Sequence, residues 1–271
     1  MFKNRIVFVV LFAAAGVILT GCGEYEKLLK SRDFEKKYDM GVKLYEEGEF
    51  AKAGTLFDQV ANVFRGTTKA DTVKYYQAKS YYGQRDYMMA GYYFSELSST
   101  YASSVFLEES DFMIGYCYYK QSPRPELDQA ATYQTITAMQ MFMVKYPTSE
   151  RVTECQAIIT EMSDKLVEKS FISARLYYDL GYYKSAILAL RNSLIEYPGT
   201  KYREELLFLI LKSSYLLADG SVPSKQRERY QTTVDEYYSF IGEFPEGPHT
   251  REANRMYEAS SKYLENFNTE S

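Results

Sequence analysis

The chain has no tryptophan, one histidine and three cysteines in 271 residues. These scarcities remove most catalytic chemistry. His249 stands alone in a proline-containing turn and reads as a surface residue rather than a catalyst, and no Cys/His metal spacing is present. Neither a Gly-rich phosphate loop nor a Gly-x-Ser-x-Gly elbow is present, and the acidic residues are spread along helical stretches. The reading is of a binding protein, not an enzyme, with no cofactor and no metal. The net charge is −4 and no basic block stands out, which argues against nucleic acid as a partner. Without indole faces, tyrosine platforms for a glycan are the weaker of the binding alternatives. What is abundant is tyrosine, 28 residues, with 16 phenylalanines.

The N-terminus is distinct from the rest. Lys3 and Arg5 precede an apolar run from Ile6 to Leu19, which is too short to span a bilayer comfortably. A basic start, a short apolar core and small residues at its end describe a signal peptide, residues 1–21. The ending Leu19-Thr20-Gly21-Cys22 has the form of a bacterial lipoprotein processing box. Cys22 is therefore expected to carry a diacylglycerol and an N-acyl lipid such as palmitate, anchoring the chain at a membrane. Gly23 rather than Asp follows it, which leans towards the outer membrane. Residues 22–33 read as a short lipidated tether. Cys117 and Cys155 fall in helical stretches of different units and read as small core residues rather than a pair.

Beyond the tether the chain repeats a helix–turn–helix unit. Equivalent positions recur at 37-residue spacing, Gly41, Ala78 and Gly115, then Ala174 and Leu211, small in all but the last. Segment ends recur too: Tyr146-Pro147-Thr148-Ser149 and Tyr197-Pro198-Gly199-Thr200, with Tyr101-Ala102-Ser103-Ser104 and Phe244-Pro245-Glu246-Gly247 as degenerate copies. The aromatic closes a core, proline stops a helix, and Ser or Thr is placed to cap the next. This is the spacing of a tetratricopeptide repeat. The predicted fold is all-α, a tetratricopeptide-repeat solenoid of five helix pairs plus a C-terminal capping helix from about Thr250. Residues 34–148 hold repeats 1–3; residues 149–271 hold repeats 4–5 and the cap. Pro123 and Pro125 interrupt the third repeat. The wide gap that follows predicts one long first helix, Arg151 to Tyr178. Asp219 to Pro223 interrupts the fifth, whose second helix resumes near Arg227.

Numbering each first helix so that the small residue is position 8, positions 5 and 12 are aromatic in all five repeats: Tyr38 and Tyr45, Tyr75 and Tyr82, Phe112 and Tyr119, Phe171 and Tyr178, Phe208 and Tyr215. Position 9 is Val42, Lys79, Tyr116, Arg175 and Lys212; position 2 is Glu35, Thr72, Glu109, Glu168 and Glu205. Residues seven apart share a helical face. The pattern fits a groove for an extended peptide with aromatic side chains and a carboxylate. It fits equally a set of core rings packed between helices.

With a lipobox followed by five such repeats, the chain resembles the BamD family, lipoprotein subunits of the outer membrane β-barrel assembly machine. The Tyr-Pro-x-Ser/Thr helix ends, the Tyr202-Arg203-Glu204-Glu205 start of the fifth repeat and the Gly23-to-Lys30 segment also carry the resemblance. It implies a periplasmic scaffold anchored to the outer membrane of a Gram-negative cell. Its C-terminal repeats would bind the POTRA region of the barrel-forming subunit. Its N-terminal repeats would receive the aromatic, carboxylate-ended signal of unfolded outer membrane proteins. On that implication the receiving residues are Tyr38, Tyr45, Tyr75, Lys79, Tyr82, Phe112, Tyr116 and Tyr119. The partner contacts are Lys225, Arg227 and Arg229 in the polar insertion of the fifth repeat. A scaffold for another envelope assembly, such as a pilus secretin or peptidoglycan coordination, is the alternative.

Overall fold

A computed structural model describes residues 23–270, with side chains to 267. The expected signal peptide and Cys22 lie outside the described residues. Every regular element described is a helix. α1 covers residues 23–30. Five pairs follow: α2 (Phe34–Glu46) with α3 (Phe50–Val60), α4 (Ala70–Gly83) with α5 (Tyr87–Thr100), α6 (Leu107–Gln121) with α7 (Ala130–Lys145), α8 (Val152–Asp179) with α9 (Tyr183–Glu196), and α10 (Arg203–Asp219) with α11 (Pro223–Glu243). α12 (Thr250–Glu270) closes the series and packs on α11 and α10. The long first helix of the fourth repeat is one unbroken α8 of 28 residues, about 42 Å at the α-helical rise.

The small residues sit where the spacing placed them. A Cβ on Gly41 would stand 3.0 Å from Phe57 Cζ, and one on Gly115 3.1 Å from Met139 Cε. Ala78 is fully buried and Ala174 nearly so. Leu211, the large residue at this position, is buried against Phe240, Ala253 and Met256, where α11 and α12 meet α10. Within a pair, the turn needs a left-handed residue at position 15. Gly48 (φ 79°) and Gly181 (φ 76°) supply it in repeats 1 and 4, but in repeat 2 it is Arg85, at φ 63°.

Between pairs a different turn recurs. Thr67, Ser104, Ser149 and Thr200 each accept the N–H two residues on, from Lys69, Phe106, Arg151 and Tyr202, at 3.2–3.3 Å. Ser104, Ser149 and Thr200 were expected as N-caps. All four hydroxyls instead shape the turn that leads into the helix, because the helix begins three residues later. Asp33 and Asp86 are true N-caps, accepting from Lys36 N and Met89 N.

Two expectations fail. Residues 23–30 are no free tether. Leu28 is buried, and Tyr25 and Leu29 pack on the core of the first repeat, because α1 presents one apolar edge to α2 and α3. α11 starts at Pro223, not near Arg227: proline is suited to a first helical turn, where its missing N–H costs nothing. The expected insertion is a tight turn.

The chain forms two compact units. One comprises residues 23–122 with 130–159; the other comprises 123–129 with 160–270. In the second, Lys169 Nζ donates to Glu126 O (2.9 Å) and Leu127 O (3.1 Å), fixing the 123–129 loop on α8. Gln129 braces that loop from within, its Nε2 donating to Arg124 O and Leu127 O. Cys117 and Cys155 are free thiols, both buried; burial pushes the Cys117 thiol up to about 12.

Candidate functional site

The aromatic positions divide by residue type. At position 5 every phenylalanine is core: Phe112 is 2 % exposed, Phe171 7 % and Phe208 4 %. Tyr38 and Tyr75 at the same position are half-buried, as are Tyr45, Tyr82, Tyr119, Tyr178 and Tyr215 at position 12. A hydroxyl keeps its ring near water or a partner, whereas Phe closes over completely. Phe112 is thereby corrected from a receiving residue to a core one. It stacks on Tyr116 (5.4 Å) and meets Phe142, with the Arg151 guanidinium 4.3 Å over its face.

The position-9 cations are also committed. Lys79 Nζ lies 3.0 Å from Glu109 Oε1, the position-2 acid of the next repeat, and Arg175 Nη1 lies 3.0 Å from Glu205 by the same rule. Lys212 pairs with Glu252 of α12 at 2.8 Å. Tyr75 joins the first of these joints by donating its hydroxyl to Glu109 Oε2 at 2.7 Å, while its ring stacks on Phe106 at 4.1 Å. Burial alone would raise the Glu109 carboxyl, but the hydrogen bonds from Tyr75 and Lys79 outweigh it and hold the group below its usual value. Tyr75 is raised well above the ordinary phenol value, by burial first and by Glu109 second. Tyr75, Lys79 and Glu109 thus tie repeat 2 to repeat 3.

What remains open is more compact than the ladder read from the sequence. Tyr45, Lys79 and Tyr82 line a cleft of about 370 Å³ with Phe50, Gly83, Arg85 and Tyr87. Tyr45 meets Phe50 and Tyr76 edge-on at 5.5 and 5.2 Å. Tyr82 continues the surface to Tyr87 (5.4 Å) and across to Tyr116 (6.3 Å), which meets Tyr119 at 5.5 Å. The Lys120 ammonium stands 4.9 Å over Tyr116 and 5.3 Å over Tyr119. Burial raises the Tyr82 hydroxyl to about 12, with Tyr116 and Tyr87 adding to it, so it stays a neutral donor. Tyr38 lies apart from this run, packed on Phe57 and Phe64 beneath the Lys69 ammonium.

Arg85, Phe50, Tyr87 and Lys120 were missed in the sequence. For Arg85 a signal existed: it aligns with Gly48 and Gly181 at the turn. Arg85 is exposed, lines the cleft from a left-handed backbone, and forms no ion pair among the described residues.

In the fifth repeat, Lys225, Arg227 and Arg229 stand on the first two turns of α11, not in a loop. Arg229 is spent internally, donating to Ser221 Oγ and to Leu217 O near the end of α10. Arg227 lies 5.0 Å over the Phe267 ring, and Lys225 is exposed.

Repeated helix pairs tied by charge pairs from one repeat to the next define a tetratricopeptide-repeat protein. The chain belongs to the YfiO family of outer membrane lipoproteins, which matches residues 31–229. Among curated proteins it is similar to the putative outer membrane protein assembly factor BamD of Aquifex aeolicus, 25% identical over 81% of this chain and 72% of that one. It is also similar to the outer membrane protein assembly factor BamD of Caulobacter vibrioides, 21% identical over 79% and 71%. A solved structure, the TPR2AB-domain:pHSP90 complex of yeast Sti1, covers 84% of this chain and 98% of its own at 15% identity; its TM-score of 0.39 is too low to carry an argument.

Proposed function

We propose that the chain is a lipid-anchored, periplasmic scaffold for outer membrane protein assembly. Its first unit receives the aromatic C-terminal segment of an unfolded β-barrel protein. Its second unit, with Lys225 and Arg227 as contacts, holds the POTRA region of the barrel-forming subunit. The work is binding and positioning, with no reaction assigned to any residue. Membership of an outer membrane lipoprotein family and likeness to two assembly factors support the setting.

The observation that carries the substrate half is the cleft of Tyr45, Tyr82 and Tyr87 with Arg85 at its edge. Aromatic side chains of a peptide would insert among the tyrosines, which give large contact area at low entropy cost. The terminal carboxylate would pair with Arg85, whose planar fork donates two parallel hydrogen bonds to it. Lys79 is the poorer partner because Glu109 already neutralises it. Fluorescence anisotropy with a labelled peptide ending in Phe tests this. Tyr82→Ala and Arg85→Ala should each weaken binding about tenfold or more, and amidating the peptide terminus should weaken wild type but not Arg85→Ala. Unchanged affinity in both variants would return these rings to a purely structural role.

A further inference from the structure

Beside the expected lipid site, a cleft, uncommitted charges and chain connectivity coincide. In the sequence Cys22 directly precedes Gly23, the first described residue of α1. It is held firmly. Leu28 is buried, the Tyr25 hydroxyl donates to Lys52 O, and the buried Lys37 donates from Nζ to Leu29 O (3.1 Å) and Gln59 Oε1 (2.7 Å). An acylated Cys22 would therefore bring the first repeat to the headgroup layer without slack. Between α1 and the start of α2 lies a cleft of about 330 Å³, lined by Glu24, Lys27 and Lys36 with Leu28 and Met40 among its apolar residues. Glu24, Lys27 and Lys36 form no ion pair among the described residues, while Asp33 in the same lining is spent capping α2. Residues 23–37 carry five cations against four carboxylates in a chain of net charge −4, so this segment does not repel a phosphate-bearing surface.

We infer that this cleft binds a phospholipid headgroup of the phosphoethanolamine class, with its phosphate between Lys27 and Lys36 and its ammonium on Glu24. The site rests on the lipid-anchor reading and adds an orienting contact to it: the lipid holds the chain at the membrane, and the cleft fixes which face of the first repeat meets it.

The acylated full chain is placed in nanodiscs of phosphatidylethanolamine or of an uncharged galactolipid, and amide exchange is followed over residues 24–40. Exchange should be slower in phosphatidylethanolamine by about fivefold for each lysine engaged. Lys27→Gln combined with Lys36→Gln should restore the galactolipid rate, with helical circular dichroism unchanged. Equal exchange in the two lipids, or protection that survives the double substitution, overturns the site. Inorganic phosphate added to the galactolipid discs is the third arm; full protection there would assign the cleft to free phosphate and overturn the membrane source. Intact mass of the membrane-extracted chain tests the anchor separately: a chain without acyl groups fails the anchor reading, whereas the exchange arms on an acylated chain test the cleft alone.

Discussion

Substituting Tyr75 by phenylalanine removes a single oxygen from the joint between the second and third repeats. The ring keeps its stack on Phe106, and only the hydrogen bond to Glu109 is lost. A hydrogen bond to a charged acceptor contributes about 1.5–3 kcal/mol when buried. The Glu109 side chain is 31% exposed and retains Lys79 at 3.0 Å. The expected loss is therefore at the lower end, about 1–1.5 kcal/mol by urea unfolding at pH 7, or a fall in Tm of about 2–5 °C. The pH dependence has two limbs. The folded pKa of Glu109 is depressed, so its contribution is present above the unfolded value, about 4.3, and is lost as pH falls through the folded one. The folded pKa of Tyr75 is raised, so its contribution is complete below the unfolded value, about 10, and is lost as pH rises beyond it. Glu109→Gln should flatten the acid limb, and Tyr75→Phe the alkaline one. In the double-mutant cycle the two should couple by about 1 kcal/mol. Strict additivity, with both limbs unchanged, would refute the claim that this triad joins the repeats.

Arg85→Gly should move stability and binding in opposite directions. Relief of its left-handed backbone is expected to stabilise by about 0.5–1 kcal/mol after glycine's unfolded-state entropy is set against it, while peptide affinity falls. Gly83→Ala should destabilise by about 1–3 kcal/mol in thermal unfolding, because the new Cβ would clash with the Phe50 ring. Leu28→Ala should cost about 2–4 kcal/mol and speed amide exchange across α1, whereas a free tether would show neither effect. Cys117 should resist alkylation at pH 8 in the native protein and react once urea unfolds it, since burial keeps its thiol protonated.

The helix pairs were legible because their signals are local: a small residue where helices cross, the aromatic-proline ends at Pro147, Pro198 and Pro245, and a 37-residue spacing broken only between Gly115 and Ala174. The unbroken α8 was legible for the same reason, since no breaker stands between Arg151 and Tyr178. The commitments of the site were not. Lys79 and Glu109 were both identified, at positions 9 and 2 of successive repeats, but pairing them across 30 residues needs the packing of α4 against α6. The aromatic ladder is one pattern in the sequence but not one surface in the fold, because Phe and Tyr are interchangeable in the spacing but not in burial. α1 escaped notice because only Tyr25, Leu28 and Leu29 mark its apolar edge, too few for a periodicity.

The central claim is that this chain works as a scaffold between an unfolded substrate and a barrel-forming partner at the outer membrane. Its most direct test is affinity purification of the acylated full chain from detergent-solubilised outer membrane, with identification of what is retained. The account predicts a POTRA-bearing barrel protein in stoichiometric yield, retained less well by Lys225→Glu combined with Arg227→Glu. Recovery of the chain without any such protein, or with the components of a different envelope assembly, would contradict it.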